Sequence, residues 1–197
     1  MSETTDGRDG GRADGHVTLA EERARLRERW TEGTTCRCCT QRVQLYRRGL
    51  TSGMALALLS FYRATAAAAA ADGDADADGG WLHAEETFKA DRALPRSARG
   101  DFTKLRYWGL VEGAAGRRPD GSRRNGVWRL TAAGRAFCEG RLAVRKYVWL
   151  YNDREYPAPE GAAEAGRHVT VRDALGDRFD FDRMVSAGRG TSGRVAA

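Results

Sequence analysis

The sequence predicts an α+β protein, and three features of the chain support that prediction. Residues 51–71 carry apolar side chains at the 3.6-residue period of a long helix: Met54, Leu58, Phe61, Tyr62 and Thr65. Two strand-like segments, residues 110–112 and 127–130, flank a stretch rich in turn residues and so indicate a hairpin. Shorter helical segments precede and follow that hairpin, which gives a mixture of both kinds of element.

Composition narrows the class of protein. The chain has 197 residues, 41% hydrophobic and 30% charged, as expected for one compact globular domain with extensions. We find no apolar run that approaches the roughly 20 residues of a membrane span. The first 15 residues are polar and have no apolar core of a secretory signal. The sequence therefore predicts a cytoplasmic protein with no membrane partner.

The basic residues are concentrated in the middle of the chain. The net charge of +6 divides into −1 for residues 1–30, +7 for residues 31–145 and 0 for residues 146–197. Phosphate contacts need lysine and arginine on one face, so a local excess favours nucleic-acid binding. The alternative is an ordinary solvated surface.

The N-terminal region is predicted in two parts. Residues 1–18 form a disordered arm, and residues 19–48 hold a short amphipathic helix followed by a cysteine-bearing turn. Thr18 is the expected N-cap of that helix. The helix either packs on the core or serves as a dimerisation or docking helix.

The central region, residues 49–145, predicts a winged helix-turn-helix. After the long helix come an acidic, glycine-flanked loop, a short helix at residues 83–89, a turn at residues 91–96 and a second helix at residues 97–108. The hairpin follows, with Pro119-Asp120-Gly121 as turn chemistry at its tip, and then Thr131 caps a helix at residues 132–142. Helix, short helix, turn, helix, hairpin and helix is the winged-helix order.

Residues 146–187 predict a β-hairpin and helix extension, and residues 188–197 a flexible tail. In residues 145–156 an Asn152-Asp153 turn joins two strands, and apolar side chains lie on both faces of the first strand. That strand either completes the core or forms a dimer seam or docking surface.

Two short motifs resemble those of a known family. Gly109-Leu110-Val111 and Leu130-Thr131-Ala132-Ala133-Gly134 are similar to the corner and the closing motif of the wing in MarR- and PadR-type winged-helix proteins. The chain also resembles uncharacterised bacterial and phage-borne proteins with a CxxC turn ahead of a winged helix. The winged-helix resemblance covers about half the chain. It shows no effector-pocket signature and no long C-terminal dimerisation helix.

The winged helix predicts a DNA site. If Phe102, Leu105 and Trp108 face the core, the outward side chains of helix 97–108 meet base edges in the major groove: Arg99, Thr103, Lys104, Arg106 and Tyr107. The wing, residues 115–125, should grip the DNA backbone through its arginines: Arg117, Arg118, Arg123 and Arg124. We expect a transcriptional regulator that binds double-stranded DNA, with a homodimer as a further partner. The alternative is a winged-helix adaptor making protein contacts in a nucleoprotein or phage-related assembly.

Cys36, Cys38 and Cys39 are the candidate metal ligands. Cys36-x-x-Cys39 has zinc-knuckle spacing, but a structural zinc needs four ligands. Cys138, His83 or a second subunit would have to complete the set. Structural zinc is therefore one interpretation, and reduced thiols in a tight turn or a redox pair are the others.

The chain offers little for catalysis. Its three histidines are scattered at positions 16, 83 and 168, and it has no P-loop, dinucleotide-binding glycine motif or nucleophile elbow. We expect a protein that is not an enzyme and has no small-molecule substrate.

Overall fold

A computed structural model describes residues 17–72, 80–116, 126–177 and 180. The chain divides into two compact units, residues 1–46 and 47–197. The predicted arm, apart from its last two residues, and the predicted tail lie outside the described residues.

The first unit is a helix followed by a small hairpin. Helix α1 (Leu19–Arg29) begins at Thr18, whose hydroxyl accepts from the Glu21 backbone N–H while the Glu21 carboxylate accepts from the Thr18 N–H. This capping box confirms the predicted N-cap. Strands β1 (Thr34–Thr35) and β2 (Arg42–Val43) pair antiparallel and enclose the cysteine turn.

The second unit contains the remaining elements, beginning at the junction strand. In chain order they are β3 (Tyr46–Gly49), α2 (Ser52–Asp72), β4 (Leu82–His83), α3 (Ala84–Ala90), α4 (Arg96–Arg99), a 3-10 helix (Phe102–Trp108), β5 (Val111–Gly113), β6 (Val127–Leu130), α5 (Ala132–Cys138), β7 (Val144–Arg145), β8 (Tyr147–Tyr151), β9 (Arg154–Tyr156), β10 (His168–Val169) and α6 (Val171–Leu175). The mixture is α+β, as the sequence predicts.

Helix α2 is the centre of the second unit. It packs against α3, α4, α5, α6 and the 3-10 helix, and Met54, Leu58 and Phe61 are fully buried along it. The expectation that no apolar run approaches a membrane span needs correction. Residues 52–71 are long and apolar enough to cross a membrane, and half of that stretch is buried within the fold. Polar residues interrupt the apolar ones in this stretch, so the sequence does not show it as one continuous apolar run.

One three-stranded sheet lies beside the helices in the order β4-β6-β5. Strand β6 pairs antiparallel with β5 from Val111↔Leu130 to Gly113↔Trp128, and with β4 at Leu82↔Trp128. The strand entering α3 and the returning strand of the hairpin are therefore hydrogen-bonded neighbours.

The predicted continuous helix at residues 97–108 is wrong in one respect. The segment consists of α4 and a 3-10 helix separated by Gly100 and Asp101, two residues of low helix propensity. Phe102, Leu105 and Trp108 are each three residues apart, and a 3-10 helix places such residues in one line. All three are buried, and Gly109 ends the helix with a φ of +65°.

The helix predicted at residues 132–142 is shorter than predicted. Helix α5 ends at Cys138 because Gly140, with a φ of +74°, turns the chain and donates to the Phe137 carbonyl. Helix α6 covers Val171–Leu175, within the extension for which the sequence predicts a helix.

The C-terminal extension shares the core of the second unit. Strand β8 lies between β3 and β9, and β7 pairs with β10. Val148 and Val171 are fully buried in the same cluster as Met54 and Leu58 of α2. Residues 146–177 therefore do not form a separate unit from residues 49–145.

Candidate nucleic-acid interface

Residues 96–108 present three different faces. Ala98, Phe102 and Leu105 face the core, and the Trp108 indole N–H donates to the Arg145 carbonyl at 2.6 Å. The predicted DNA-contacting side chains divide between the two remaining faces. They do not form one continuous outward row, because the helix changes from α to 3-10 geometry along its length.

The first of these faces contains Arg99 and Thr103. Both are half-buried, and the Arg99 guanidinium donates through Nη2 to the Leu94 carbonyl at 3.1 Å. Arg96 lies one turn before Arg99 on the same face, is exposed, and has no acidic partner among the described residues. Sequence reasoning missed Arg96, although the spacing of 96, 99 and 103 would have identified it.

On the second face, the basic and tyrosine side chains all contact one carboxylate, that of Asp153. The Asp153 carboxylate forms ion pairs with Arg106 at 2.6 Å and with Lys104 at 3.4 Å. It also accepts a hydrogen bond from the Tyr107 hydroxyl. The Arg106 guanidinium also stacks over the Tyr107 ring at 4.5 Å. Three of the five predicted base-contacting residues are therefore tied to one residue from another element.

The electrostatics of this cluster favour the ionised carboxylate. The hydrogen bond from Tyr107 holds the pKa of Asp153 below its usual value, and the charges of Arg106 and Lys104 act in the same direction. Burial and the Asp153 contact raise the pKa of Tyr107. Asp153 thus remains negative at neutral pH and offsets part of the positive charge of this face.

A two-residue turn positions Asp153. Tyr151 pairs with Arg154 across the β8–β9 hairpin, and Asn152 and Asp153 between them have φ values of 48° and 61°. Both angles are left-handed, which asparagine and aspartate tolerate better than most residues and which two-residue hairpin turns require. The sequence predicted this turn but not its contact with the 3-10 helix.

The wing is described only at its stem. Glu112 and Arg129 form an ion pair across β5 and β6, and the Arg129 guanidinium lies 4.8 Å from the centroid of the Trp81 ring. The four arginines assigned to the wing tip lie outside the described residues: Arg117, Arg118, Arg123 and Arg124.

The cysteine turn in the first unit is tightly hydrogen-bonded. The backbone N–H groups of Cys39 and Cys38 donate to the Cys36 sulfur and lower the pKa of that thiol. Desolvation raises the pKa of Cys38. Cys36 is buried, whereas Cys38 and Cys39 are exposed.

No group of three or more candidate metal ligands comes together within the described ranges of the chain. Cys138 is buried in the core of the second unit, where burial raises the pKa of its thiol. The structural zinc stays a prediction.

Glu22 joins α1 to the cysteine turn. Its carboxylate, only 2% exposed, accepts from Arg25 Nη2 at 2.6 Å and from the Arg37 backbone N–H at 2.8 Å. These hydrogen bonds lower the pKa of Glu22 to about 2. Arg25 in turn donates to the Thr35 carbonyl at 2.6 Å.

The first unit should therefore lose stability in acid. The folded pKa of Glu22 lies below its ordinary value of 4.5, so its stabilising contribution is complete above that pH and is lost as the pH falls towards 2. The amide resonance of Arg37 should titrate with a midpoint near that lower value. In Glu22→Gln the titration should disappear, and its persistence would contradict the assignment.

The comparisons with known proteins gave no match. No protein-family model, no curated protein and no solved structure matched this chain.

Proposed function

We propose that the second unit is a winged helix-turn-helix that binds double-stranded DNA, and that the protein is a transcriptional regulator. The order of its elements supports this proposal: α2, β4, α3, α4 with the 3-10 helix, β5, β6, with the sheet arranged β4-β6-β5. In a helix-turn-helix the second helix enters the major groove, which here assigns that role to residues 96–108.

The observation that carries the DNA proposal is the unpaired positive charge beside the hairpin. Arg96 and Arg99 have no acidic partner among the described residues, and Thr103 lies on the same face. The sequence adds four arginines between the two wing strands. Arginines on a helix face and a hairpin tip suit base edges and phosphates respectively.

Neutralising the wing tests the proposal. We expect the combined change of Arg117, Arg118, Arg123 and Arg124 to glutamine to weaken binding to random duplex DNA and to flatten its salt dependence. The logarithmic slope should fall by about 0.9 for each phosphate contact that is lost. Fluorescence anisotropy at several salt concentrations measures both quantities.

A matched control changes the same amount of charge elsewhere. Four arginines with exposed side chains in the first unit serve for this: Arg23, Arg27, Arg29 and Arg37. Their combined replacement by glutamine should leave the slope nearly unchanged. Equal effects of the two sets of substitutions would contradict a specific role for the wing.

The second candidate function is an adaptor that makes protein contacts. The contacts of Asp153 favour it. Its carboxylate binds Lys104, Arg106 and Tyr107 within the same chain, so these side chains are less available for DNA. Absence of DNA binding by the wild-type protein even at low salt would support the adaptor.

A further inference from the structure

The second unit contains a cavity whose lining includes Arg96 and Arg99, the two arginines that the proposed function assigns to DNA. It has a volume of about 490 Å³ and lies between the start of α3, the α4 segment and strand β6. That volume is within the range of small-molecule sites in proteins. The described residues that line it all belong to the second unit.

The floor of the cavity is aromatic. Phe88 and Phe102 are buried with ring centroids 5.0 Å apart, and the half-buried Trp128 lies 6.0 Å from Phe102 at an interplanar angle of 81°. Edge-to-face packing of this kind fixes the Trp128 ring, which supplies the aromatic surface open to the cavity, because Phe88 and Phe102 are only 3% and 1% exposed. A planar aromatic ligand is the complement of such a floor.

The rim of the cavity is cationic. Arg96 and Arg99 line it without an acidic partner among the described residues, whereas Lys89 is paired with Glu85 at 2.8 Å. The charge that remains for a ligand is therefore positive. Two guanidinium groups three residues apart suit a carboxylate, sulfonate or phosphate.

We propose that this cavity binds a small ligand in which a planar aromatic ring system carries an anionic group. The ring lies against Trp128, which Phe102 holds from behind, and the anion pairs with Arg96 and Arg99. Aromatic acids and mononucleotides both have this chemistry. Arg96 and Arg99 are shared with the proposed DNA face, but the ligand is tested without DNA, so this proposal can fail while the DNA proposal stands, and the reverse.

The probe is 8-anilino-1-naphthalenesulfonate, an aromatic anion whose fluorescence rises in an apolar site. The folded wild-type protein should bind one equivalent. N-phenyl-1-naphthylamine, which lacks the sulfonate, should bind at least about tenfold more weakly, in line with the loss of a charge-assisted hydrogen bond. Equal affinity for the two compounds would overturn anion recognition.

Substitutions locate the site. Gly100 lines the cavity, has a helical φ of −64°, and a Cβ there meets no atom within 4 Å. Gly100→Leu should fold normally and weaken probe binding by narrowing the space. Arg96→Gln should weaken the probe about tenfold, whereas Arg92→Gln, an exposed arginine outside the lining, should not. Unchanged binding in Gly100→Leu would overturn the proposal.

Displacement identifies the source of the ligand. Displacement of the probe by 2-naphthoate would assign the site to aromatic acids, and displacement by adenosine monophosphate would assign it to nucleotides. Ribose 5-phosphate and adenosine each carry half of the nucleotide and should displace it poorly. Failure of both complete ligands to displace the probe would contradict the proposal.

Discussion

Replacement of Gly134 by alanine is expected to lower the free energy of unfolding of the second unit by about 3 kcal/mol, the upper range for overpacking a core. A Cβ at position 134 would lie 1.9 Å from the Leu110 carbonyl oxygen and 3.2 Å from a Leu130 methyl. The nearest atom is backbone, so the strand corner or α5 would have to move. Alanine's higher helix propensity offsets only about 1 kcal/mol of this cost.

The same replacement at Gly100 should instead raise the free energy of unfolding. Its backbone is helical and its Cβ would be in open space, so Gly100→Ala should stabilise the unit by about 0.4–1 kcal/mol through the unfolded state. Urea denaturation of both variants measures the difference. A loss of similar size in both would show that close packing at residue 134 is not the cause.

Replacement of Asp153 by asparagine is expected to strengthen binding to random duplex DNA about tenfold at low salt. The change releases Arg106 and Lys104, and two additional phosphate contacts should steepen the logarithmic salt slope by up to about 1.8. Asparagine tolerates the φ of 61° at this position, so the β8–β9 turn should persist.

Glu160→Gln is the matched control for this effect. Glu160 is exposed, and its replacement changes the net charge by the same amount outside the Asp153 cluster. Affinity and slope should change little in that variant. A weaker affinity in Asp153→Asn would mean that Asp153 holds the basic side chains in their binding positions, contrary to our expectation.

Local sequence signals predicted much of the fold. Thr18 and Thr131 cap the helices assigned to them, and Gly109, in a left-handed conformation that glycine adopts readily, ends the helical segment after Trp108. These features depend on residues within one or two turns, where backbone chemistry determines the structure. The Asn152-Asp153 turn belongs to the same category.

Long-range contacts limited the prediction of the site. The outward side chains of residues 97–108 were assigned to one surface, but Asp153 lies 46 residues beyond Tyr107 and no local pattern joins them. The cavity is similar, since His83, Arg96 and Trp128 come from three separate elements. Only the tertiary arrangement of β4, α4 and β6 brings them together.

The bonds between Leu50 and Lys146 have a consequence for biosynthesis. The Leu50 N–H donates to the Lys146 carbonyl at 2.9 Å, and Lys146 Nζ donates to the Leu50 carbonyl at 2.7 Å, across 96 residues. Val171, farther along the chain, is fully buried against α2. A nascent chain that ends before α6 lacks part of this core. The second unit therefore cannot complete its core until α6 has been synthesised, and part of the apolar surface of α2 stays uncovered until then.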